Sequence, residues 1–257
     1  MAAPDPQTSI PNRREFKYLV PKRRIPELRD RISGYCTPDA FAGDDGSYRI
    51  RSLYLDTWNM RLYKANDREA PERFKARVRS YPDAPGGPVF AEIKARVGDV
   101  IRKGRAKLPD EGWSDMVRGG PSGRYASPPL DDFICRVHRF GLRPICQVES
   151  SREAWMSRTE TYARVSIDSR VECRPERRWT LEARGRRCPV DHPLQTHTKD
   201  SVCVVELKWA DAAPRWMVAL VQHLQILRHS YSKYGFSVLS LAEEHQVDYR
   251  RTQSVWV

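Results

Sequence analysis

The 257-residue sequence predicts an α+β fold in which strands bend around a charged lumen as a β-barrel, with helices packed outside. Three observations predict it. Runs that alternate apolar and polar residues dominate the chain, while helical periodicity is confined to four segments. Alternation places every second strand residue on one face, and here one face is almost purely charged, strand after strand. That face gathers 14 basic and 4 acidic residues, most of the net charge of +12 that 45 Lys and Arg leave against 33 Asp and Glu.

The elements follow in chain order. Residues 1–11 are polar and Pro-rich and read as a disordered tail, with 12–250 as a single domain. Strands are predicted at 13–19, 47–56, 72–81, 88–97, 99–108, 143–156, 161–171 and 201–209, with a short one at 179–182. Val97-Gly98-Asp99 reads as a tight hairpin. A helix over 21–33 follows from the spacing of Ile25, Leu28 and Ile32, and one over 131–140 from Phe133, Ile134, Val137 and Phe140. The strongest runs over 213–228. Pro214 stands there at the first helical position, and Trp216, Leu220, Val221, Leu224 and Leu227 form a core-facing stripe. A last helix is predicted over 232–244, with Gly235 weakening its first turn. Loops are expected at 119–129 and 184–199.

Composition excludes several classes. Apolar residues make up 40 %, unlike a disordered chain. No run approaches the roughly 18 apolar residues of a spanning helix. The N-terminus has no basic patch followed by an apolar run, so a cytoplasmic protein is expected. The six cysteines form no Cys-x-x-Cys pair, which argues against a disulfide framework or a zinc ribbon. The six histidines do not fall in ligand spacing, and no phosphate-binding Gly-rich loop ending in Lys-Ser/Thr occurs.

The charged face runs through Arg13, Glu15, Lys17; Arg73, Lys75, Arg77, Arg79; Glu92, Lys94, Arg96; Lys103, Arg105, Lys107; Arg164, Asp168, Arg170; and Glu206, Lys208. Two readings compete. One is a solvated sheet face on an arginine-rich chain, 35 Arg to 10 Lys. The other is a concave lining built for a polyanion. Like charges directly across a sheet repel, by about 3 kcal/mol per pair at ~5 Å and an effective dielectric near 20. A free surface would intersperse signs. Arg and Lys clamp phosphate oxygens. Carboxylates cannot, so Glu15, Glu92 and Glu206 among them imply a bridging Mg²⁺ or Mn²⁺. Few aromatics interleave the face, so no nucleic acid partner is expected.

The runs Glu15-x-Lys17, Ser52-Leu53-Tyr54-Leu55-Asp56, Arg73-x-Lys75-x-Arg77-x-Arg79, Glu92-Ile93-Lys94, Lys103-x-Arg105, Arg164-x-Ser166-x-Asp168, Glu206-x-Lys208 and Ser232-Lys233-Tyr234, in that order, resemble the VTC domain. That is the polyphosphate polymerase catalytic domain of the triphosphate tunnel metalloenzymes. The resemblance covers about residues 12 to 245. It implies an antiparallel eight-stranded β-barrel tunnel with helices packed outside and, within it, transfer of the γ-phosphate of ATP to a growing polyphosphate chain. Carried over, Lys208, Lys233, Arg73 and Arg77 are the expected catalytic residues. Lys17, Arg49, Lys75, Arg79, Lys94, Lys103, Arg105, Arg152 and Arg164 would bind phosphate, with Arg51, Lys64 and Arg143 as further basic candidates. Glu206, Glu15 and Glu92 would hold Mn²⁺ or Mg²⁺. Arg13 stands where the cyclase and triphosphatase branch carries the first Glu of Glu-x-Glu-x-Lys, which favours the VTC branch. The expected partners are ATP and polyphosphate or another triphosphate. At a membrane, a separate membrane-protein partner would be needed. A tripolyphosphatase or nucleoside triphosphatase, and a non-catalytic polyanion binder, are the alternatives.

Overall fold

The computed structural model of the protein describes residues 13–83, 87–98, 100–120, 127–160 and 162–244. The elements are β1 (Arg13–Pro21), a 3-10 turn (Lys22–Arg24), α1 (Ile25–Ser33), β2 (Cys36–Pro38), β3 (Tyr48–Asp56), α2 (Arg61–Asp67), β4 (Glu72–Ser80), β5 (Val89–Val97), β6 (Val100–Leu108), α3 (Trp113–Gly119), α4 (Pro128–Phe140), β7 (Arg143–Ser157), β8 (Arg164–Pro175), β9 (Cys188–Pro189), α5 (Pro193–Thr196), β10 (Val202–Ala210), α6 (Arg215–Leu224) and α7 (Lys233–Glu244). The predicted tail and part of the 119–129 loop lie outside the described residues, as do Thr161 and Asp99.

Eight strands hydrogen-bond in the order β1-β10-β8-β7-β3-β4-β5-β6, with β2 on β7 and β9 on β8. The antiparallel eight-stranded sheet is as expected; among the described residues no strand pairing closes it into a barrel. On the β1 side the free edge is already in use. The chain after α6 lies along it: Arg228 forms a bridge with Tyr18, and the His229 N–H donates to the Lys17 carbonyl at 2.8 Å.

By contacts the chain forms two compact units, each discontinuous in sequence. Of the described residues, the first comprises those up to 49, those of 150–171 and those of 191–232. Its core lies on the apolar face of β1, β10 and β8, where Tyr18, Val20, Val165, Ile167, Val205 and Leu207 pack against Leu28 and Ile32 of α1 and Trp216, Met217, Leu220 and Leu224 of α6. α1 begins later than predicted because Pro26, which lacks an N–H, sits in its first turn behind the 3-10 turn. α6 ends earlier than predicted. Gln225 adopts a left-handed conformation (φ 47°) that turns the chain toward the β1 edge, so Leu227 is exposed rather than part of the stripe. Pro214 is the N-cap of α6, one position before the expected one.

The second unit comprises the described residues of 50–149, 172–190 and 233–244. Leu53, Leu55, Ala76, Val78, Ala91 and Ile93 of β3, β4 and β5 form its core with Leu130, Phe133, Ile134 and Val137 of α4. α4 begins with Pro128 at its first turn and ends where Gly141, at φ 59°, makes the left-handed turn. The predicted 179–182 strand is not one. Its carbonyls serve side chains instead: Leu181 accepts from Arg51 at 2.8 Å, and Thr180 and Glu182 accept from Gln147.

Candidate functional site

Each unit places a cluster of cations around buried carboxylates on the strand face opposite its core. In the first unit, register sets Glu15 opposite Lys208 and Lys17 opposite Glu206. On the other side of β10, Lys208 faces Arg164 and Glu206 faces Ser166. Glu206 is the hub. Its oxygens lie 2.6 Å from Lys208 Nζ, 3.4 Å from Lys17 Nζ and 3.9 Å from Arg152 Nη2. Lys17 also reaches Glu15 at 3.7 Å and donates to the Tyr231 carbonyl at 3.1 Å. Arg152 makes two 2.7 Å hydrogen bonds to the Asp168 carboxylate, whose side chain is fully buried. Burial works against the charge of Arg152, but Asp168 and Glu206 outweigh it and hold the guanidinium pKa well above its usual value.

In the second unit, Arg77, Glu92 and Arg105 form one row across β4, β5 and β6, and Lys75, Lys94 and Lys103 form the next. The side chain of Glu92 is only 2 % exposed and is ringed by four cations: Arg77 at 2.6 Å, Arg105 at 3.4 Å, Arg79 at 3.8 Å and Lys103 at 3.9 Å. Burial alone would raise its carboxyl pKa, but the four charges outweigh burial and hold it well below the usual carboxylate range. Burial, followed by the neighbouring arginines, takes Lys103 down to about 7 despite Glu92. Arg77 also donates to the Tyr54 hydroxyl at 3.0 Å, and Arg105 lies 3.6 Å from the centroid of the Phe90 ring. A pocket opens here, lined by Tyr54, Lys75, Arg77, Glu92, Ile93, Lys94 and Lys103.

The expected site residues thus divide. Lys17, Glu15, Glu206, Lys208 and Arg152 come together in the first unit, and Lys75, Arg77, Arg79, Glu92, Lys94, Lys103 and Arg105 in the second. Arg164 is exposed beside the first cluster and lies over the Tyr162 ring at 4.8 Å. Arg73 turns back on the approach to its own strand, donating to the Ala70 carbonyl at 2.6 Å. Lys233 opens α7. Arg51 is not on the charged face: it pairs with Ser80 in register and binds Glu149 at 2.7 Å. Alternation puts the exposed Arg49 on the side of Arg51, away from Ser52 and Tyr54.

Glu15 and Glu206 both lie within 3.7 Å of the same Lys17 nitrogen, so two carboxylates from neighbouring strands converge on one cationic point. A divalent ion of the Mg²⁺ type takes one or two carboxylates and leaves its other positions to water and phosphate oxygens; Glu15 and Glu206 are a pair of that kind, with the Lys17 ammonium between them. Glu92 does not fit. Its oxygens face four cations, and no second carboxylate lines its pocket. Among the described residues no group of three or more His, Cys, Asp or Glu side chains could hold a metal.

Four residues outside the expected set take central positions. Asp168 fixes Arg152. Tyr54 holds Arg77 and stacks on Tyr234, ring centroids 5.0 Å apart. The Tyr234 hydroxyl donates to Asp56 at 2.6 Å, and Asp56 is fully buried. Tyr54, Asp56 and Tyr234 all lie in the Ser-Leu-Tyr-x-Asp and Ser-Lys-Tyr runs. Those runs were the available signal, but being uncharged or isolated in their strand pattern, these residues carried no assigned role.

An antiparallel sheet whose charged face gathers arginines and lysines around acidic side chains has the chemistry that suits phosphate-rich anions. The VTC domain model matches residues 12–242, and the chain belongs to that family. No curated protein matches it. Among solved structures it is similar to a Bacillus halodurans protein provisionally assigned as an adenylate cyclase. The identity is 12 %, the TM-score 0.52, and 85 % of this chain and 92 % of that one are covered. PH1819 from Pyrococcus horikoshii also matches, at 11 % identity and TM-score 0.46 over 90 % of this chain and 99 % of that one. The first likeness extends the fold, an antiparallel sheet with helices on its apolar face, to a chain of very different sequence.

Proposed function

We propose that the protein is a metal-dependent phosphotransferase of the polyphosphate polymerase type, which moves the γ-phosphate of ATP to the end of a polyphosphate chain in a basic tunnel. The observation that carries this reading is the crowding of cations around buried carboxylates in both units of a VTC-family chain. A phosphate chain offers oxygens on every side, and Lys75, Lys94 and Lys103, opposed across three strands, are relieved of mutual repulsion by an anion between them. The terminal phosphate of the acceptor supplies the attacking oxygen. The bond from the γ-phosphorus to its bridging oxygen breaks, a new P–O bond forms, and ADP leaves. No side-chain nucleophile is needed; positioning and electrostatics carry the catalysis. Taken unit by unit, Arg77, Arg73 and Lys233 are the proposed catalytic residues of the second, with Arg79 and Arg105 binding phosphate, and Lys208 is that of the first, with Lys17, Arg152 and Arg164 binding phosphate. Mg²⁺ or Mn²⁺ held by Glu206 and Glu15 would neutralise part of the phosphate charge.

The test is incubation with ATP and Mn²⁺ followed by separate assays of acid-insoluble phosphate and free orthophosphate. Acid-insoluble phosphate is expected. Orthophosphate alone would replace the polymerase by a triphosphatase using water as acceptor. Neither product, with tripolyphosphate still bound, would leave a non-catalytic binder.

A further inference from the structure

Arg77 is tied to a buried scaffold that phosphate itself does not need. Asp56, at the end of β3, accepts hydrogen bonds from the backbone N–H groups of Thr57, Leu62 and Tyr63 at 2.7 to 2.8 Å and from the Tyr234 hydroxyl at 2.6 Å. Burial raises the Asp56 carboxyl pKa against these bonds, and burial together with Asp56 raises the Tyr234 phenol well above its usual value, so the phenol keeps its proton. Tyr63 meets the Tyr234 ring edge-on at 6.3 Å between centroids. On its other side the Tyr234 ring stacks on Tyr54 with 16° between planes. The Tyr54 hydroxyl then accepts from Arg77, whose other nitrogens grip Glu92. Tyr234 is the second residue of α7, directly after Lys233. The chain Asp56–Tyr234–Tyr54–Arg77 therefore fixes both the start of α7 and the fork of one guanidinium.

We propose that Tyr54 and Tyr234, anchored on Asp56, are positioning residues that hold Arg77 and Lys233 in place for the transferring phosphate. The inference rests on the phosphotransferase reading for the phosphate and on the geometry alone for the positioning. A stacked aromatic pair without this role would act only on stability. Under the proposal, removing one hydroxyl loosens Arg77 while the ring stays packed. Displacing a catalytic group by about 1 Å can lower a rate on the order of a hundredfold.

The experiment compares the wild-type protein with Tyr54→Phe and Tyr234→Phe, with Tyr63→Phe as control. The Arg77 Nε–H NMR signal, assigned with Arg77→Lys, reports positioning without reference to activity. ATP turnover with Mn²⁺ reports function. In Tyr54→Phe the Arg77 signal is expected to broaden or exchange faster. The kcat is expected to fall tenfold or more, with KM for ATP changing less than threefold and the thermal midpoint nearly unmoved. Tyr234→Phe should shift in the same direction, and Tyr63→Phe should match wild type. An unchanged Arg77 signal in Tyr54→Phe overturns the positioning, whatever the turnover. A loosened signal with unchanged kcat overturns its catalytic use. A wild-type protein that neither binds tripolyphosphate nor turns over ATP overturns the phosphotransferase reading, and with it the role for phosphate.

Discussion

Replacing Glu92 by Gln keeps the shape of the side chain and removes one buried negative charge from among four cations. The nearest, Arg77 at 2.6 Å, interacts with it by about 6 kcal/mol at an effective dielectric near 20. Desolvation of both groups offsets much of this. Removing one partner of a buried pair nevertheless costs about 3–5 kcal/mol, because the remaining charge is left uncompensated. In a chain of this size each kcal/mol is worth about 2–4 °C, so the midpoint should fall by roughly 6–20 °C. The measurement is thermal and urea unfolding in phosphate-free buffer. The dependence on pH has a fixed sign. The folded pKa of Glu92 is depressed, so its stabilisation is fully present above the unfolded carboxyl pKa of about 4.3 and is lost as the pH falls through the lower folded value. The gap between wild type and Glu92→Gln should therefore be constant near neutrality and close in acid. Tripolyphosphate, by supplying counter-charge to the same cations, should raise the midpoint of the variant more than that of wild type. A loss below about 1 kcal/mol at pH 7, or a gap that widens in acid, would show that the four cations do not depend on this carboxylate.

Other expectations concern the first unit and the ligand. Asp168→Asn takes both hydrogen bonds' charge from Arg152 and should cost about 3–5 kcal/mol in urea unfolding, whereas Arg164→Ala, at an exposed position, should change stability by less than about 1 kcal/mol. Glu206→Ala should abolish Mn²⁺-dependent turnover and weaken Mn²⁺ binding in calorimetry; unchanged metal dependence would remove Glu206 from the metal site. Tripolyphosphate at a hundred times its dissociation constant should stabilise the protein by about 2.7 kcal/mol, and orthophosphate at equal concentration by clearly less. Equal shifts from both would argue against recognition of a phosphate chain.

Much of the framework was legible in the residues. A period of two is a local property, so β4 to β6 and β10 fell within a residue or two of their predicted bounds, and the charged face could be counted before any pairing was known. The helices with an apolar stripe and a proline at the start were legible for the same reason. The short elements were not. α2 and α3, seven residues each, are too short for a helical period to register, and β2 and β9 exist only because β7 and β8 offer them partners.

The sequence by itself determined which residues share a strand face and that this face is basic with a few carboxylates among the cations. It also determined the family, through the order of its charged motifs. Only the tertiary structure decided what each carboxylate does. Glu206 and Glu15 converge because register sets them diagonally across β1 and β10, while Glu92, identical in type, is enclosed by cations from β4 and β6. Only the fold joins Asp56 to Tyr234, 178 positions along the chain, and lays residues 228–229 along the edge of β1. Alternation is written in neighbouring residues. Register, edge occupancy and burial depend on partners far away in sequence, and these decide which charges are paired and which are crowded.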